Sequence, residues 1–369
     1  MQPGKQDRLA AILGNSILPR NAGANGIGDK NNMSVTIDGQ TKRIGLALSG
    51  GGFRAAAFHL AVFRKLASMG ILWKVDLLSC VSGGSIAGGF LAANWNKTDA
   101  LDRLEQFLRT RSLAVSSFLK GLVNPFSSRL EKLADGYDEH LYAGLTLNGL
   151  GSGPRLYLNA TNLSTGNMFF FVTGGGKPAE MGEHETGVVP AGDFPLCKAV
   201  AASSAFPPVF PPLKLDKSIY NAAGVDYVTL TDGGVYDNLG VNPVFRARNS
   251  LDYVIVSDAG KPFELSERPT RLGTRVVFQS IDILMEQVRG LQFKRLELSA
   301  KAGEGPKPLW FSIDSHLGQS RDGDAQTASK IDTNLKKLTD EELTVLGRHA
   351  QALLQHRIDT YAPELMQAR

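Results

Sequence analysis

Two glycine-rich turns, each placed between an apolar run and a helical pattern, constrain the fold of this chain more than any other feature. The first apolar run, Ile44–Leu48, ends in Ser49-Gly50-Gly51-Gly52, and a helix is predicted to follow over Phe53–Met69. The second run, Val75–Val81, ends in Ser82-Gly83-Gly84, and a helical pattern follows again. Strand, helix and strand in this order form the unit from which parallel sheets are built.

The same alternation continues along the chain. Further strands and a long helix are predicted at Arg155–Thr161, Met168–Val172, Tyr227–Leu230, Tyr253–Val256 and Arg271–Ala300. We therefore expect an α/β fold with a mostly parallel central sheet that is covered by helices on both faces. Gly174–Asp193 is interpreted as loop, and residues 1–33 as a mobile N-terminal arm because they are polar and glycine-rich. Residues 34–369 contain no linker and are predicted to form a single domain.

Composition and charge narrow the class of protein. With 43% apolar and 21% charged residues, the chain resembles an ordinary globular protein. The net charge is +4, and the sequence contains no run of five like charges. The chain therefore lacks the electrostatic footprint of nucleic-acid binding, but its charge is compatible with weak attraction to an anionic membrane. Residues 1–20 show no secretory signal and no apolar stretch reaches membrane-spanning length, so we expect a cytoplasmic protein with at most peripheral membrane contact.

The glycine run Gly50–Gly52 has three interpretations. As an oxyanion cradle, it leaves backbone N–H groups free to converge on an anion, and the helix that begins near Phe53 adds its positive end. As a nucleotide phosphate site, it lacks the last glycine of the fingerprint, which is Ala55, and no acidic residue ends the next strand. A tight turn without any ligand is the third interpretation. We favour the oxyanion cradle.

Ser82 has the position of a nucleophile. It ends an apolar strand and precedes Gly83-Gly84, whose small size permits the sharp turn that exposes a serine hydroxyl at the carboxyl edge of a sheet. Cys80 replaces the first glycine of the G-x-S-x-G pattern. The alternative is a serine that caps the following helix, a role for which Ser85 is better placed.

A serine nucleophile requires a base, and a carboxylate is the better candidate in this chain. Asp232 closely follows Tyr227–Leu230 and precedes Gly233-Gly234, which allow close approach of backbone or substrate. A partly desolvated carboxylate gains basicity and can accept the serine proton. An Asp-Gly turn without a catalytic role is the alternative. None of the histidines has the sequence context of a triad base; they are His59, His140, His184, His316, His349 and His356.

Six segments, in this order, resemble those of bacterial patatin-like phospholipases. They are LALSGGGFRAAAFHLAVFRKL, LLSCVSGGSIAGG, NPFSSRL, LNATNLSTGN, AVAASSAFPPVFPPL and LTDGGVYDNLG. The resemblance runs from about Ile44 to Gly240, and more weakly to the C-terminus. It implies a three-layer α/β/α sandwich and lipid acyl hydrolysis by a Ser-Asp dyad. Two small residues, Cys80 and Ala55, stand where the family pattern has glycine.

The resemblance also implies roles for single residues. It assigns the nucleophile to Ser82, the base to Asp232 and the oxyanion-hole amides to Gly50, Gly51 and Gly52. Arg54 matches the basic position of the glycine loop, where it would orient the loop or a substrate phosphate, and Gly83 is a second candidate for orienting the substrate. Acyl transfer to an acceptor other than water is one alternative function. A non-catalytic module that binds a phosphate or nucleotide through the glycine loop is the other.

The expected partner is a lipid or phospholipid substrate. No metal or cofactor is expected, because we see no Cys/His cluster and the acidic residues around Asp232 lack the spacing of a calcium loop. Ser112–Phe126 is apolar enough to lie in a membrane interface, although a buried core helix explains the same pattern. The oligomeric state does not follow from the sequence.

Overall fold

The computed structural model describes residues 35–95, 97–113, 127–221, 224–263, 269 and 271–366. The arm predicted for residues 1–33 and all but the first two residues of Ser112–Phe126 lie outside this part of the chain. The helices are α1 (Gly52–Ser68), α2 (Gly83–Ala93), α3 (Ala100–Thr110), α4 (Ser127–Tyr137), α5 (Leu196–Ser203), α6 (Gly234–Asp237), α7 (Gly273–Lys301), α8 (Asp324–Lys330) and α9 (Asp340–Tyr361). None of the described helices is long and apolar enough to cross a membrane.

The strands form one large sheet and a small hairpin. They are β1 (Val35–Ile37), β2 (Gln40–Lys42), β3 (Ile44–Leu48), β4 (Val75–Val81), β5 (Arg155–Asn162), β6 (Met168–Thr173), β7 (Glu180–Glu183), β8 (Gly187–Pro190), β9 (Leu213–Asp216), β10 (Tyr227–Asp232), β11 (Tyr253–Asp258) and β12 (Lys307–Ser312). The large sheet has the order β12-β11-β3-β4-β5-β6-β7-β8, with β10 also paired to β5 and β9 paired to β10. Within this sheet, the neighbouring strands β12, β11, β3, β4 and β5 are parallel to one another, and the remaining pairs are antiparallel.

The two faces of the parallel strands are buried in two separate apolar clusters. Leu46 and Leu78 point into a large cluster that is shared with α1, α2 and α9. Their chain neighbours Ala47 and Leu77 point into a smaller cluster on the opposite face, which Leu296 of α7 joins. Burial on both faces explains why β3 and β4 read as nearly continuous apolar runs. The predicted α/β class, with a parallel sheet centre between helical layers, is thereby confirmed.

The interpretation of Gly174–Asp193 as loop is wrong, because this segment contributes β7 and β8. The strand signal is weak there, because β7 has the sequence Glu-Met-Gly-Glu. Its Gly182 has a φ of 146°, a backbone angle that residues other than glycine rarely adopt. These strands extend the antiparallel side of the sheet, away from β3 and β4.

Strands β4 and β10 meet end to end along one side of β5, and this arrangement positions the candidate site. Strand β4 runs parallel to β5 and its last residue, Val81, pairs with Asn159. Strand β10 runs antiparallel to β5 and its last residue, Asp232, pairs with the next position, Ala160. The carboxyl ends of two strands that are distant in sequence therefore face each other.

Candidate active site

Ser82 occupies a sharp turn between β4 and α2. Its φ of 51° and ψ of −115° lie in a region that non-glycine residues rarely adopt. Such backbone strain is concentrated at functional sites, where the surrounding structure holds it. Although Ser82 stands at the N-cap position of α2, its side chain caps no helical N–H group. This observation removes the main structural reason for a serine at this position.

The two rival serines are engaged elsewhere. The hydroxyl of Ser79 donates a hydrogen bond of 2.5 Å to the Gly240 carbonyl. The hydroxyl of Ser85 lies 2.7 Å from that of Ser203, and both groups are buried. Ser82 is half-buried, whereas Ser79 and Ser85 are fully buried, so Ser82 is the best placed of the three serines to meet a substrate.

Asp232 is a buried carboxyl group beside the Ser82 turn. Its Oδ1 atom accepts a hydrogen bond of 2.7 Å from the Gly234 N–H group. Its Oδ2 atom is buried without a hydrogen bond of ordinary geometry to any described residue. Burial raises the pKa of Asp232 from 3.8 to about 7, against the smaller lowering effects of the Gly234 N–H group and the Ser82 hydroxyl. The Ser82 hydroxyl thus lies near enough to lower the pKa of this carboxyl, although no hydrogen bond of ordinary geometry joins the two groups.

Ser203, the last residue of α5, joins the two halves of the site. Its carbonyl accepts hydrogen bonds of 3.2 Å from the N–H groups of both Ser82 and Gly233. Its hydroxyl donates at 2.6 Å to the carbonyl of Asn159, which pairs with the end of β4. The Ser82 N–H group also lies 3.2 Å from this hydroxyl oxygen. Sequence reasoning missed Ser203, because nothing in the small-residue run around it indicates contacts with residues so distant along the chain.

The glycine loop lies directly against the Ser82 turn. A Cβ atom on Gly50 would lie 3.1 Å from the Cβ of Ser82 and 2.3 Å from Oδ1 of Asn238. The Gly50 N–H group donates to the Asn238 carbonyl at 3.1 Å, so this amide is already engaged. The N–H groups of Gly51 and Gly52 donate to no acceptor among the described residues. Of the three amides predicted for an oxyanion hole, these two are therefore available in this conformation.

Gly83 supplies a third free amide. It is the first residue of α2, where N–H groups have no partner within the helix, and its own donates to no described residue. A Cβ atom on Gly83 would lie 2.2 Å from the Gly52 carbonyl oxygen, so the two glycine turns touch through their backbones. Helices α1 and α2 both begin at this contact, and the positive ends of both favour a negatively charged group there.

Arg54 lies against the glycine loop, since a Cβ atom on Gly51 would lie 3.2 Å from one of its terminal nitrogens. Its side chain is fully buried, and its terminal nitrogens donate to the carbonyls of Ile331 at 2.8 Å and Ala259 at 3.0 Å. Burial lowers the pKa of Arg54 to about 10, against the opposing effects of Asp258 and Asp332. Of the two roles that the sequence left open for Arg54, these contacts favour orientation of the loop over contact with a substrate phosphate.

His59 is the histidine nearest to the glycine loop in sequence, and both of its ring nitrogens are engaged. Nε2 lies 2.9 Å from the Ser49 carbonyl and Nδ1 lies 2.8 Å from the Ser257 hydroxyl. Burial lowers its pKa to about 4, so the ring is neutral near pH 7. A carbonyl only accepts, so Nε2 must donate to Ser49 and Nδ1 must accept from Ser257. The neutral ring then has no lone pair left for a serine proton.

These features define an α/β protein with a strained serine turn, a buried carboxyl of raised pKa and free backbone amides at one sheet edge. A family model described as patatin-like phospholipase matches residues 46–245. The chain belongs to the patatin-like phospholipase family. The family predicted from the sequence motifs is thereby confirmed, and its bacterial branch stays a prediction.

Curated and solved proteins give more distant matches. The lysophospholipase NTE1 of Meyerozyma guilliermondii is 26% identical over 225 residues, which are 59% of this chain and 12% of that protein. Human GIVD cytosolic phospholipase A2 superposes with a TM-score of 0.54 at 14% identity, covering 88% of this chain and 59% of that chain. Its complex with methyl gamma-linolenyl fluorophosphonate and terbium chloride gives 0.53 at 13% identity. At these identities the structural likeness concerns the fold alone.

Proposed function

We propose that this chain is a serine lipid acyl hydrolase in which Ser82 is the nucleophile and Asp232 the base. The observation that carries the proposal is the end-to-end meeting of β4 and β10 along β5, which brings the strained Ser82 turn to a buried carboxyl. Raising the pKa of that carboxyl to about 7 places it where a general base works well near neutral pH. Membership of the patatin-like phospholipase family supports a lipid ester as the substrate.

Acylation follows from the arrangement of these groups. The Ser82 oxygen attacks the carbonyl carbon of the ester while its proton passes to Asp232. The carbonyl oxygen becomes negatively charged and accepts hydrogen bonds from free amides, for which Gly51, Gly52 and Gly83 are the candidates. Loss of one such donor typically costs about 3–4 kcal/mol of transition-state stabilisation. The intermediate collapses, the alcohol or lysolipid leaves with the proton from Asp232, and the acyl group remains on Ser82.

Deacylation repeats these steps with water. Asp232 accepts a proton as a water molecule attacks the acyl carbon, and the same amides hold the second oxyanion. Collapse releases the fatty acid and returns the proton to Ser82.

The proposed substrate is a phospholipid or lysophospholipid ester. The names of the two relatives, a lysophospholipase and a phospholipase A2, give these lipids as the substrates of those proteins. Access to such a substrate requires reversible contact with a lipid surface.

Active-site labelling tests the proposal. A fluorophosphonate probe should label the wild-type chain and leave Ser82→Ala unlabelled, because the probe reacts with an activated serine hydroxyl. Ser85→Ala is the matched control: it also removes a hydroxyl from the second turn and should still be labelled. Hydrolysis of a water-soluble short-chain ester should follow the same order. Near-native turnover by Ser82→Ala would show that the nucleophile has been assigned to the wrong residue.

A further inference from the structure

Two arginines contact the same buried aromatic ring, that of Phe170 on β6. The guanidinium carbons of Arg246 and Arg248 lie 4.4 and 5.6 Å from the centre of this ring. Phe170 belongs to the smaller apolar cluster, so both arginines lie on the face of the sheet that α7 covers. Residues 243–251 contain these two arginines and no carboxylate. Two cations are therefore held close to one point of the surface.

Neither of these arginines has an ion pair or a hydrogen bond with a described residue. Other half-buried arginines of this chain are neutralised. Arg289 pairs with Asp258 at 2.6 Å, and both oxygens of Asp324 accept hydrogen bonds from Arg348. The centre of an aromatic ring offers no lone pair, so contact with a ring leaves the five N–H donors of each guanidinium group without a protein acceptor.

The charges around the pair are positive. Arg246 is half-buried, and burial lowers its pKa, with a further lowering by the charge of Arg248. Burial also lowers the pKa of a third arginine, Arg155, and Arg248 adds to that effect. Glu180 is a carboxylate near this surface, but it pairs with Arg155 at 3.8 Å. An anion between Arg246 and Arg248 would remove the repulsion between two partly desolvated cations.

The hydroxyl group of Tyr236 is a further donor beside Arg246. Tyr236 lies in α6, directly after the Asp232 turn, and it is partly buried against the same apolar cluster. Burial raises the pKa of Tyr236, and Arg246 is among the charges that lower it, so the two side chains are close and the phenol is protonated near neutral pH. Tyr236 donates no hydrogen bond to a described residue.

These donors lie beside the candidate active site. Phe170 pairs with Asn159, and Asn159 pairs with Val81, the residue before Ser82. Neighbouring strands are about 4.8 Å apart, so two spacings place β6 about 10 Å from the strand that ends at Ser82. The donors on Phe170 are thus separate from the amides of the glycine loop.

We propose that Arg246, Arg248 and the Tyr236 hydroxyl bind a phosphoryl group. Near neutral pH a phosphate monoester carries about two negative charges and three acceptor oxygens, which match two guanidinium groups and one phenol. The planar guanidinium also forms two parallel hydrogen bonds with phosphate oxygens. The proposal goes beyond the proposed function and does not depend on it, because binding is measured without catalysis.

Isothermal titration calorimetry on the full-length protein tests the proposal with two probes at constant ionic strength and about pH 7.5, where phosphate is mostly a dianion. One probe is inorganic phosphate, and the other is the dihexyl ether analogue of phosphatidic acid, which contains no ester bond. Arg246→Gln and Arg248→Gln should each raise the Kd for inorganic phosphate at least about tenfold, because each removes charge-assisted hydrogen bonds. Arg246→Lys keeps the charge and loses the fork of donors, so its Kd should lie between those of the wild type and Arg246→Gln.

Arg103→Gln is the matched control. Arg103 also contacts an aromatic ring, since its guanidinium carbon lies 5.6 Å from the ring centre of Phe90, but it donates a hydrogen bond to Asn94. Its neighbour Leu104 belongs to the large apolar cluster, on the opposite face of the sheet from Phe170. Arg103→Gln should therefore bind both probes as the wild type does.

Absence of saturable binding of both probes by the wild type would overturn the proposal, as would equal affinities of the wild type and Arg248→Gln. Arg248 is exposed, so its variant stays informative if Arg246→Gln unfolds. An equal loss in Arg103→Gln would show a general effect of net charge, and binding that persists in Arg246→Gln/Arg248→Gln would place the anion elsewhere; either result overturns the site. Loss in the two arginine variants alone supports it. Tighter binding of the ether lipid than of inorganic phosphate would then support a lipid head group as the source of the phosphoryl group, and the reverse order a soluble phosphate.

Discussion

Replacing Asp232 by asparagine should abolish hydrolysis and, above neutral pH, stabilise the fold. Activity should fall by about 10²–10⁴-fold, because asparagine accepts no proton from Ser82. The effect on stability follows from the raised pKa. An acid whose pKa is higher in the folded state than in the unfolded chain destabilises the fold progressively as pH rises between the two values. Asparagine carries no charge at any of these pH values and removes that penalty.

The magnitude can be worked from the shift of the Asp232 pKa from 3.8 to about 7. Each pKa unit corresponds to about 1.4 kcal/mol, so the penalty grows from under about 2 kcal/mol at about pH 5 to over about 4 kcal/mol at about pH 8.5. Asparagine also places an amide group at the Oδ2 position, where no described residue offers a partner. An unpaired buried amide costs about 1–3 kcal/mol, and this cost is independent of pH. We therefore expect the free energy of unfolding of Asp232→Asn, relative to wild type, to rise by about 2–3 kcal/mol over this pH interval.

Urea unfolding followed by tryptophan fluorescence at several pH values measures this increment. The tryptophans Trp73, Trp95 and Trp310 all lie within the described part of the chain. The denaturant slopes of the two proteins must agree for the free energies to be compared. Ser82→Ala is the matched control, because it leaves the carboxyl group buried and removes only the smallest of the three effects on its pKa. Its stability should follow the wild-type pH dependence.

A constant difference between Asp232→Asn and wild type over the whole pH interval would refute the reasoning. It would mean that the carboxyl ionises in the folded protein as readily as in the unfolded chain. Asp232 would then have no raised pKa, and the argument that it acts as the base near neutral pH would fail even if the variant were inactive.

Two further predictions concern the same site. The kcat/KM of the wild type for a short-chain ester should rise with pH through about 7 and then level. The reason is that Asp232, whose pKa is raised to about 7, must be ionised to accept the proton. A profile that is flat from pH 5 to 9, or that falls with rising pH, would contradict this role. Gly83→Ala should destabilise the fold by about 1–3 kcal/mol and abolish activity, since its Cβ would lie 2.2 Å from the Gly52 carbonyl oxygen. Gly151→Ala, whose Cβ meets nothing within 4 Å, should change neither the urea midpoint nor the ester rate, and equal behaviour of the two variants would show that the turns do not touch.

The residues that the sequence made predictable are those whose position follows from local pattern. Ser82 stands directly after an apolar strand and before two glycines, and Asp232 ends a second apolar strand. In the structure both residues lie at the edge of the sheet, because the ends of strands place the residues there. The pairing of β10 with β5, which makes the two residues neighbours, is a long-range property that local pattern does not contain.

The contacts that the sequence did not predict come from chain segments that are distant from the site. Ser203 is separated from Ser82 by 121 positions, yet it bonds the backbone of both halves of the site. The Gly50 amide was predicted to be free, and the carbonyl of Asn238, brought close by the turn after β10, accepts its hydrogen bond. Gly83, predicted only as a substrate-orienting residue, instead presents a free amide beside Gly52 because the two turns pack together.

The same packing that strains this site supplies its basicity. At its ordinary pKa of 3.8 the Asp232 carboxylate would be a poor acceptor for a serine proton, and burial is the first cause of its rise. The Ser203 carbonyl accepts hydrogen bonds from the N–H groups of both Gly233 and Ser82, and it thereby holds these two chain segments together beside the buried carboxyl. His59 cannot act as a base in place of Asp232, because its two ring nitrogens are already bonded to the Ser49 carbonyl and the Ser257 hydroxyl. In the proposed mechanism, Asp232 would become a base because one of its carboxylate oxygens is kept from water and hydrogen-bond partners, at the expense of stability above neutral pH.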